Sequence, residues 1–149
     1  MLSIDTNLLF YAFATDRVEH AAAREWITPL HELDDVVLSE FMLLEFYRLL
    51  RNPAVMKNFL SAEQAAGVVE SYRAHPHWRV VGFPREDRSL HDAMWKIAAR
   101  RDFAYRRIYD VRLALILRAH GVTRFATHNK ADFMGLGFDQ VFDPLEKLA

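Results

Sequence analysis

Residues 2–9 read LSIDTNLL, and this stretch decides the predicted fold. It is apolar or small until Asp5, which is typical of a short buried strand ending in an acid, and a helical pattern follows through Phe13. In parallel α/β sheets, ligand sites lie beyond the carboxyl ends of the strands, where Asp5 falls. Asp is also a strong helix N-cap, so this residue alone fits a capping role equally well.

Short apolar strands alternate with helices along the rest of the chain. The further strand candidates are residues 36–38, 78–81, 124–127 and 141–143, and the further helices are predicted over 18–33, 39–51, 61–75, 89–101 and 109–120. Ser61 and Gln64 form a capping-box pattern at the start of one of these helices. The alternation predicts an α/β fold with a parallel sheet that helices cover on both faces.

The composition limits the class of protein. A chain of 149 residues fits one domain, spanning residues 1–149. It has no cysteine, which excludes disulfides, zinc–thiolate sites and a cysteine nucleophile. No apolar run reaches the roughly 20 residues of a membrane span, and the start of the chain lacks a leader pattern. We therefore expect a cytoplasmic domain that does not enter the membrane.

Charge is distributed unevenly. Residues 1–47 carry nine Asp or Glu and two Arg, for a net −7, whereas residues 48–149 carry seventeen Lys or Arg and eleven Asp or Glu, for a net +6. An acidic half and a basic half fit a metal site beside a phosphate-binding face. Ordinary solvated helix surfaces explain the same pattern.

Two further acids interrupt apolar helix faces. Glu45 lies at the edge of the apolar stripe of its predicted helix, and Asp110 begins the inward face of another. A carboxylate in such a place is costly unless it is paired or binds a metal. The alternatives are an ion pair from Glu45 to Arg48 or plain exposure of Glu45, and N-capping by Asp110.

The three acids Asp5, Glu45 and Asp110 together suggest a metal site. Carboxylates brought close raise one another's pKa, and a divalent cation reverses that effect. Oxygen ligands without cysteine or paired histidines favour Mg²⁺ or Mn²⁺ over Zn²⁺. Such a site activates water for attack on a phosphodiester. A polar loop after the strand at 124–126 adds Thr127, Asn129 and Asp132, although an ordinary polar loop is the alternative there.

These motifs, in this order, resemble those of the PIN-domain family, particularly the VapC-like toxins of type II toxin–antitoxin pairs. The matching segments are residues 3–9, 39, 45–48, 51–55, 110–114, 120–122 and 126–133. The resemblance covers essentially the whole chain. It implies a three-layer α/β/α sandwich with a mainly parallel sheet of about five strands. It also implies a Mg²⁺- or Mn²⁺-dependent endoribonuclease that forms a homodimer and is inhibited by a cognate antitoxin.

The resemblance also assigns roles by motif position. The implied metal ligands are Asp5, Glu45 and Asp110, with Thr127 near the metal or scissile phosphate and Thr6 and Asn7 shaping the first loop. Many relatives place a fourth acid two residues after the Thr, where this chain has Asn129, and Asp132 comes one residue later than in the acid-bearing version. We therefore expect a one-metal site in which Asn129 and Asp132 give support.

A basic segment leads directly into Asp110. Its arginines are Arg100, Arg101, Arg106 and Arg107, and two aromatic residues, Phe103 and Tyr105, lie between them. This composition fits phosphate contacts and base stacking, and Arg48, one helical turn beyond Glu45, is a further candidate. The alternative is a helix end followed by a solvated loop, with the aromatic residues in the core.

Two other functions stay open from the sequence. Asn129 in place of an acid is compatible with a catalytically inactive module that binds RNA or a protein partner. A nuclease that processes RNA without an antitoxin is the second.

Overall fold

Short strands and helices alternate along the chain as predicted. The structure is a computed structural model that describes residues 1–82, 85 and 87–146. Its strands are β1 (Leu2–Ile4), β2 (Val37–Ser39), β3 (Arg79–Val81), β4 (Arg124–Ala126) and β5 (Gln140–Phe142). Its α-helices are α1 (Thr6–Phe13), α2 (His20–Ile27), α3 (Glu40–Leu50), α4 (Ala62–Arg73), α5 (Asp87–Ala98), α6 (Ile108–Ala119) and α7 (Lys130–Phe133).

All strand pairs are parallel, but the ladder is interrupted. β4 lies between β1 and β5, and β2 pairs with β3. A single bridge between Leu2 and Val36, with the Leu2 amide donating to the Asp35 carbonyl at 2.9 Å, joins the two groups. The continuous sheet thus has three strands rather than the expected five or so. Three-residue strands offer few ladder bonds to each neighbour, so a small divergence divides the sheet.

Helices cover both faces of the central strands. Every residue of β1 and β2 is buried, although alternate side chains of a strand point to opposite faces. Both α3 and α6 pack against β2, while α1 contacts α2 and α3, and α5 contacts α6. The three-layer α/β/α prediction is therefore confirmed.

Local signals explain where individual helices begin and end. The capping box is present, because the Ser61 hydroxyl accepts from the Gln64 amide at 3.2 Å and the Gln64 side chain accepts from the Ser61 amide at 3.0 Å. The helix predicted over 18–33 divides into α2 and a 3₁₀ turn, Thr28–Glu32, because Pro29 lacks the amide needed to continue it. Among the described residues, no helix is long and apolar enough to cross a membrane.

Candidate active site

Two polar residues emerge side by side where β1 and β4 end. Ile4 pairs with Ala126, so the next residues along the parallel strands, Asp5 and Thr127, are neighbours. The Thr127 hydroxyl donates to Asp5 Oδ2 at 2.6 Å, and the Thr6 amide donates to Asp5 Oδ1 at 2.7 Å. Asp5 is therefore the N-cap of α1 as well as a residue of the strand-end site. The two sequence interpretations of Asp5 are compatible.

Four carboxylates share the pocket that opens from this edge. The pocket has a volume of about 710 Å³, and α1, α3, α6 and α7 form its walls. Its acidic lining residues are Asp5, Glu45, Asp110 and Asp132. Residues up to 127 positions apart in the chain therefore meet around one opening.

The carboxylates perturb one another's protonation. Burial raises the pKa of Asp5 to about 7, the negative charges of Glu45 and Asp110 add to the rise, and the hydrogen bond from Thr127 opposes it. The pKa of Asp110 is raised to about 6. Burial is the largest cause, and the negative charges of Asp132 and Glu45 add to the rise in that order. This mutual repulsion is the electrostatic situation that a bound cation relieves.

Glu45 differs from its sequence interpretation. The sequence places it at the edge of the apolar stripe of its helix, but it is exposed on α3, because the buried face of that helix is formed by Met42, Leu43, Phe46 and Leu50. No ion pair joins Glu45 to Arg48 within the described part of the chain. Plain exposure, one of the alternatives, is what the structure has. The side chain nevertheless lines the acidic pocket.

Asp110 and Asp132 lie on α6 and α7, two helices that contact each other. Asp110 is half-buried in the first turn of α6, where Arg107 occupies the N-cap position, so the capping alternative for Asp110 is wrong. Asp132 is also half-buried, and its charge acts on Asp110 more strongly than that of Glu45 does. Asn129 is exposed at the pocket, and its backbone amide donates to the Thr127 hydroxyl at 2.9 Å.

The donor set fits a hard divalent cation. The lining supplies four carboxylates and the side-chain amides of Asn7 and Asn129, and it contains no histidine. Among residues 1–82, 85 and 87–146, no three acidic or histidine side chains converge tightly enough to form a complete ligand set. Both oxygens of Asp5 are held by Thr6 and Thr127. An ion that keeps several of its own waters, as Mg²⁺ does, suits such an open arrangement.

Thr6 and Asn7 are the first residues of α1. Thr6 is buried, and its hydroxyl lies 3.5 Å from the Met42 carbonyl, which links α1 to α3. Asn7 is half-buried and faces the acidic pocket. Both residues lie in the first turn of α1 rather than in the expected loop, because Asp5 alone separates β1 from α1.

The predicted arginine cluster is divided between two places. Arg48 and Arg106 line the acidic pocket. Arg100, Arg101 and Arg107 instead line a separate cavity of about 310 Å³. Arg107 connects the two, because its Nη2 donates to the Asp132 carbonyl at 2.8 Å. Of the two interleaved aromatic residues, one packs against the core (Phe103) and the other is 90% exposed outside the acidic pocket (Tyr105).

Sequence reasoning missed three polar residues of the pocket wall, which are Tyr11, Arg17 and Tyr109. Tyr11 lies one turn after Asn7 on α1, a spacing that was available as a signal. Arg17 follows in the loop after α1, and its guanidinium lies 5.4 Å from the centre of the Tyr11 ring. No sequence pattern around Arg17 indicates this position, because the path of the loop brings it there.

Comparison with known proteins places this geometry in a family. The family model described as PIN domain matches residues 2–134. The chain belongs to the PIN-domain family. It is also similar to Ribonuclease VapC24 of Mycobacterium tuberculosis, with 41% identity over 145 residues that cover 97% of both chains, in strains CDC 1551 / Oshkosh and ATCC 25618 / H37Rv alike. The resemblance to VapC proteins seen in the motifs is confirmed.

Solved structures share the fold of this PIN domain at lower identity. FitAcB from Neisseria gonorrhoeae superposes with a TM-score of 0.68 at 19% identity, over 99% of this chain and 100% of that one. Mycobacterium tuberculosis VapC20, described as a toxin that cleaves the sarcin–ricin loop, has a TM-score of 0.61 at 17% identity, over 84% and 87%. These similarities support the architecture.

Proposed function

We propose that this PIN domain is a Mg²⁺- or Mn²⁺-dependent endoribonuclease and the toxin of a type II toxin–antitoxin pair. The observation that carries the proposal is the acidic pocket, in which Asp5 is fixed at the sheet edge and three helix-borne carboxylates face it. The similarity to a ribonuclease over nearly the whole chain supports RNA as the substrate.

The residues have distinct roles in this proposal. Asp5, Glu45 and Asp110 hold the metal, and the Thr127 hydroxyl holds the Asp5 carboxylate in one orientation at 2.6 Å. A divalent ion at this site supplies charge stabilisation and an activated water for hydrolysis of a phosphodiester. At the start of α1, the Thr6 amide holds Asp5 and Asn7 lines the pocket. Arg48 and Arg106 face the same pocket and attract the phosphates of the substrate.

A single metal ion is the proposed stoichiometry. The side chain of Asn129 adds no charge to the ligand set, and its backbone amide donates to the Thr127 hydroxyl. Asp132 contributes the fourth charge, and after burial it is the largest cause of the raised pKa of Asp110. Asn129 and Asp132 therefore support the ligands, and the substrate phosphate completes the site.

The wider setting is proposed from the family resemblance, which the similarity to VapC24 supports. We propose that residues 1–149 form one nuclease domain that acts as a homodimer in the cytoplasm. A cognate antitoxin binds it and blocks its access to RNA. Arg100, Arg101 and Arg107 extend the RNA-binding surface beyond the acidic pocket.

Cleavage of structured RNA tests the enzymatic proposal. Purified protein is incubated with RNA in Mn²⁺, in Mg²⁺ or in EDTA, alongside the Asp5→Asn variant. Cleavage by the wild-type protein is expected in Mn²⁺ and in Mg²⁺ but not in EDTA. The Asp5→Asn variant is expected not to cleave under any of these conditions. If RNA binds without being cleaved, the chain is instead the inactive RNA-binding module that Asn129 left open.

Expression in a bacterial host tests the toxin role separately. Growth arrest is expected on induction of the wild-type protein, and Asp5→Asn is expected to relieve it. An active ribonuclease that causes no arrest would instead be an RNA-processing enzyme without an antitoxin.

A further inference from the structure

One exposed aromatic side chain lies directly beside the acids. Tyr109 precedes Asp110 in the first turn of α6, is 65% exposed, and lines the acidic pocket. The other largely exposed aromatic residues of the described chain, Phe59, Trp95 and Tyr105, do not line it. Among the rings that line the pocket in the described chain, that of Tyr109 is the most exposed to a ligand, whereas Tyr11 and Phe41 are half-buried.

The ring of Tyr109 is supported by a second aromatic ring that packs against the core. It stacks on Phe41 with 6.2 Å between ring centroids and 24° between the planes. Phe41 packs against the core, and the guanidinium of Arg112 lies 5.1 Å from its centroid. A ring supported in this way loses little conformational freedom when a ligand stacks on it, which favours binding.

The charges of the same pocket indicate what the ligand is. Arg48 and Arg106 supply positive charge for phosphates. Asp110, the next residue after Tyr109, supplies one of the carboxylates of the pocket. Single-stranded RNA presents phosphates and flat bases in alternation, and aromatic side chains stack such bases in RNA-binding proteins. A phosphate bound at Asp110 places a neighbouring base near Tyr109, because both side chains line the same pocket.

We propose that Tyr109 stacks an unpaired nucleobase next to the scissile phosphate. This inference rests on the proposed ribonuclease function for its choice of RNA. It assigns base stacking to Tyr109 rather than to Phe103 and Tyr105, which the sequence suggested, because those two lie outside the acidic pocket. The proposed substrate is RNA that is single-stranded or unstacked at the cleavage site.

A fluorescent base tests the stacking without cleavage. The probe is a short oligouridylate with one 2-aminopurine, whose fluorescence falls when it stacks, and binding is measured in the Asp5→Asn background. Tyr109→Ala is expected to bind about tenfold more weakly and to lose the fluorescence quenching. Tyr109→Phe keeps the ring and is expected to retain both. Tyr105→Ala is the matched control, since Tyr105 is exposed but lies outside the pocket.

An abasic scan then locates the contact. Removing one base at a time from a cleavable RNA is expected to slow the wild-type enzyme most at one position, and Tyr109→Ala is expected to be insensitive at that position. Equal quenching and equal affinity in Tyr109→Ala overturn the inference. A changed oligomeric mass in that variant also overturns it, because the exposed face of Tyr109 would then lie between two copies of the chain rather than against a base.

The outcomes separate this inference from the proposed function. If the wild-type protein fails to cleave but Tyr109-dependent quenching persists, the nuclease proposal fails and base stacking stands. If the wild-type protein cleaves RNA but neither cleavage nor quenching depends on Tyr109, the base-stacking inference fails and the nuclease proposal stands. Absence of any binding to the probe overturns the inference.

Discussion

Asp5 and Glu45 line the same pocket, yet the fold holds them in opposite ways. Asp5 is only 8% exposed, caps α1, and accepts hydrogen bonds from Thr6 and Thr127. Glu45 is exposed on α3, and none of the ion pairs in the described part of the chain includes it. One acid belongs to both the fold and the site, and the other belongs to the site alone.

This difference shows how the site is built. A strand end fixes one carboxylate, and the flanking helices bring further carboxylates that stay in contact with solvent. The fixed acid bears most of the desolvation, which is why its pKa rises to about 7. Substitutions should therefore separate effects on stability from effects on activity.

Asp5→Asn should have the largest effect on activity. The amide keeps the size of the side chain and an oxygen for the Thr6 amide, but it cannot supply the charge that holds a cation. We expect cleavage to fall by about a hundredfold or more, corresponding to several kcal/mol of lost charge stabilisation. In EDTA the variant should melt at the same or a higher temperature than wild type, since it lacks the repulsion from Glu45 and Asp110. A large fall in melting temperature would show that the charge of Asp5 stabilises the fold.

Thr127→Val should act mainly on stability. The substitution removes the hydroxyl that donates to Asp5 and accepts from the Asn129 amide, at a residue with no exposed surface. We expect the free energy of unfolding in urea to fall by about 1–3 kcal/mol. Thr127→Ser retains the hydroxyl and should recover most of the loss. If valine is tolerated without loss, the link between the strand ends is not structural.

Glu45→Gln should have the smallest effect on stability. Because Glu45 is exposed and makes no ion pair in the described chain, we expect the free energy of unfolding to change by less than about 0.5 kcal/mol. Activity at limiting Mg²⁺ should nevertheless fall by about tenfold, because one charge of the ligand set is lost.

The control for Glu45 is Glu25→Gln, at an exposed glutamate on α2 that lies outside the acidic pocket. It should change neither activity nor stability. A loss of stability in Glu45→Gln beyond that of the control would contradict the contrast with Asp5.

The sequence predicted the fold from signals that are local. The alternation of apolar and polar residues located the strands, Ser61 and Gln64 marked a helix start, and the family motifs gave the three-layer architecture. The helix over 18–33 was too long, because Pro29 lies inside an otherwise helical pattern. The number of strands in one sheet depends on pairing between distant segments, which local patterns do not contain.

The site was only partly predictable for the same reason. Asp5, Glu45 and Asp110 carry local signals, and the structure does place them around one pocket. The helical pattern did not give the depth of Glu45, since it lies at the edge of its stripe and only the packing of α3 decides which side of that edge is covered. The basic segment looked continuous, but the 3₁₀ turn Tyr105–Arg107 divides its arginines between two cavities.

By itself, then, the sequence determined the α/β class, the family and the residue types that the chemistry needs, because periodicity and motif order are properties of the chain. Tertiary structure alone decided which acid is buried, which arginines reach the pocket, and that the ring of Tyr109 stacks on Phe41 while it lines the pocket. Those outcomes depend on how helices far apart in sequence pack around the ends of β1 and β4. Packing sets burial and distance, and burial and distance set the electrostatics of the site.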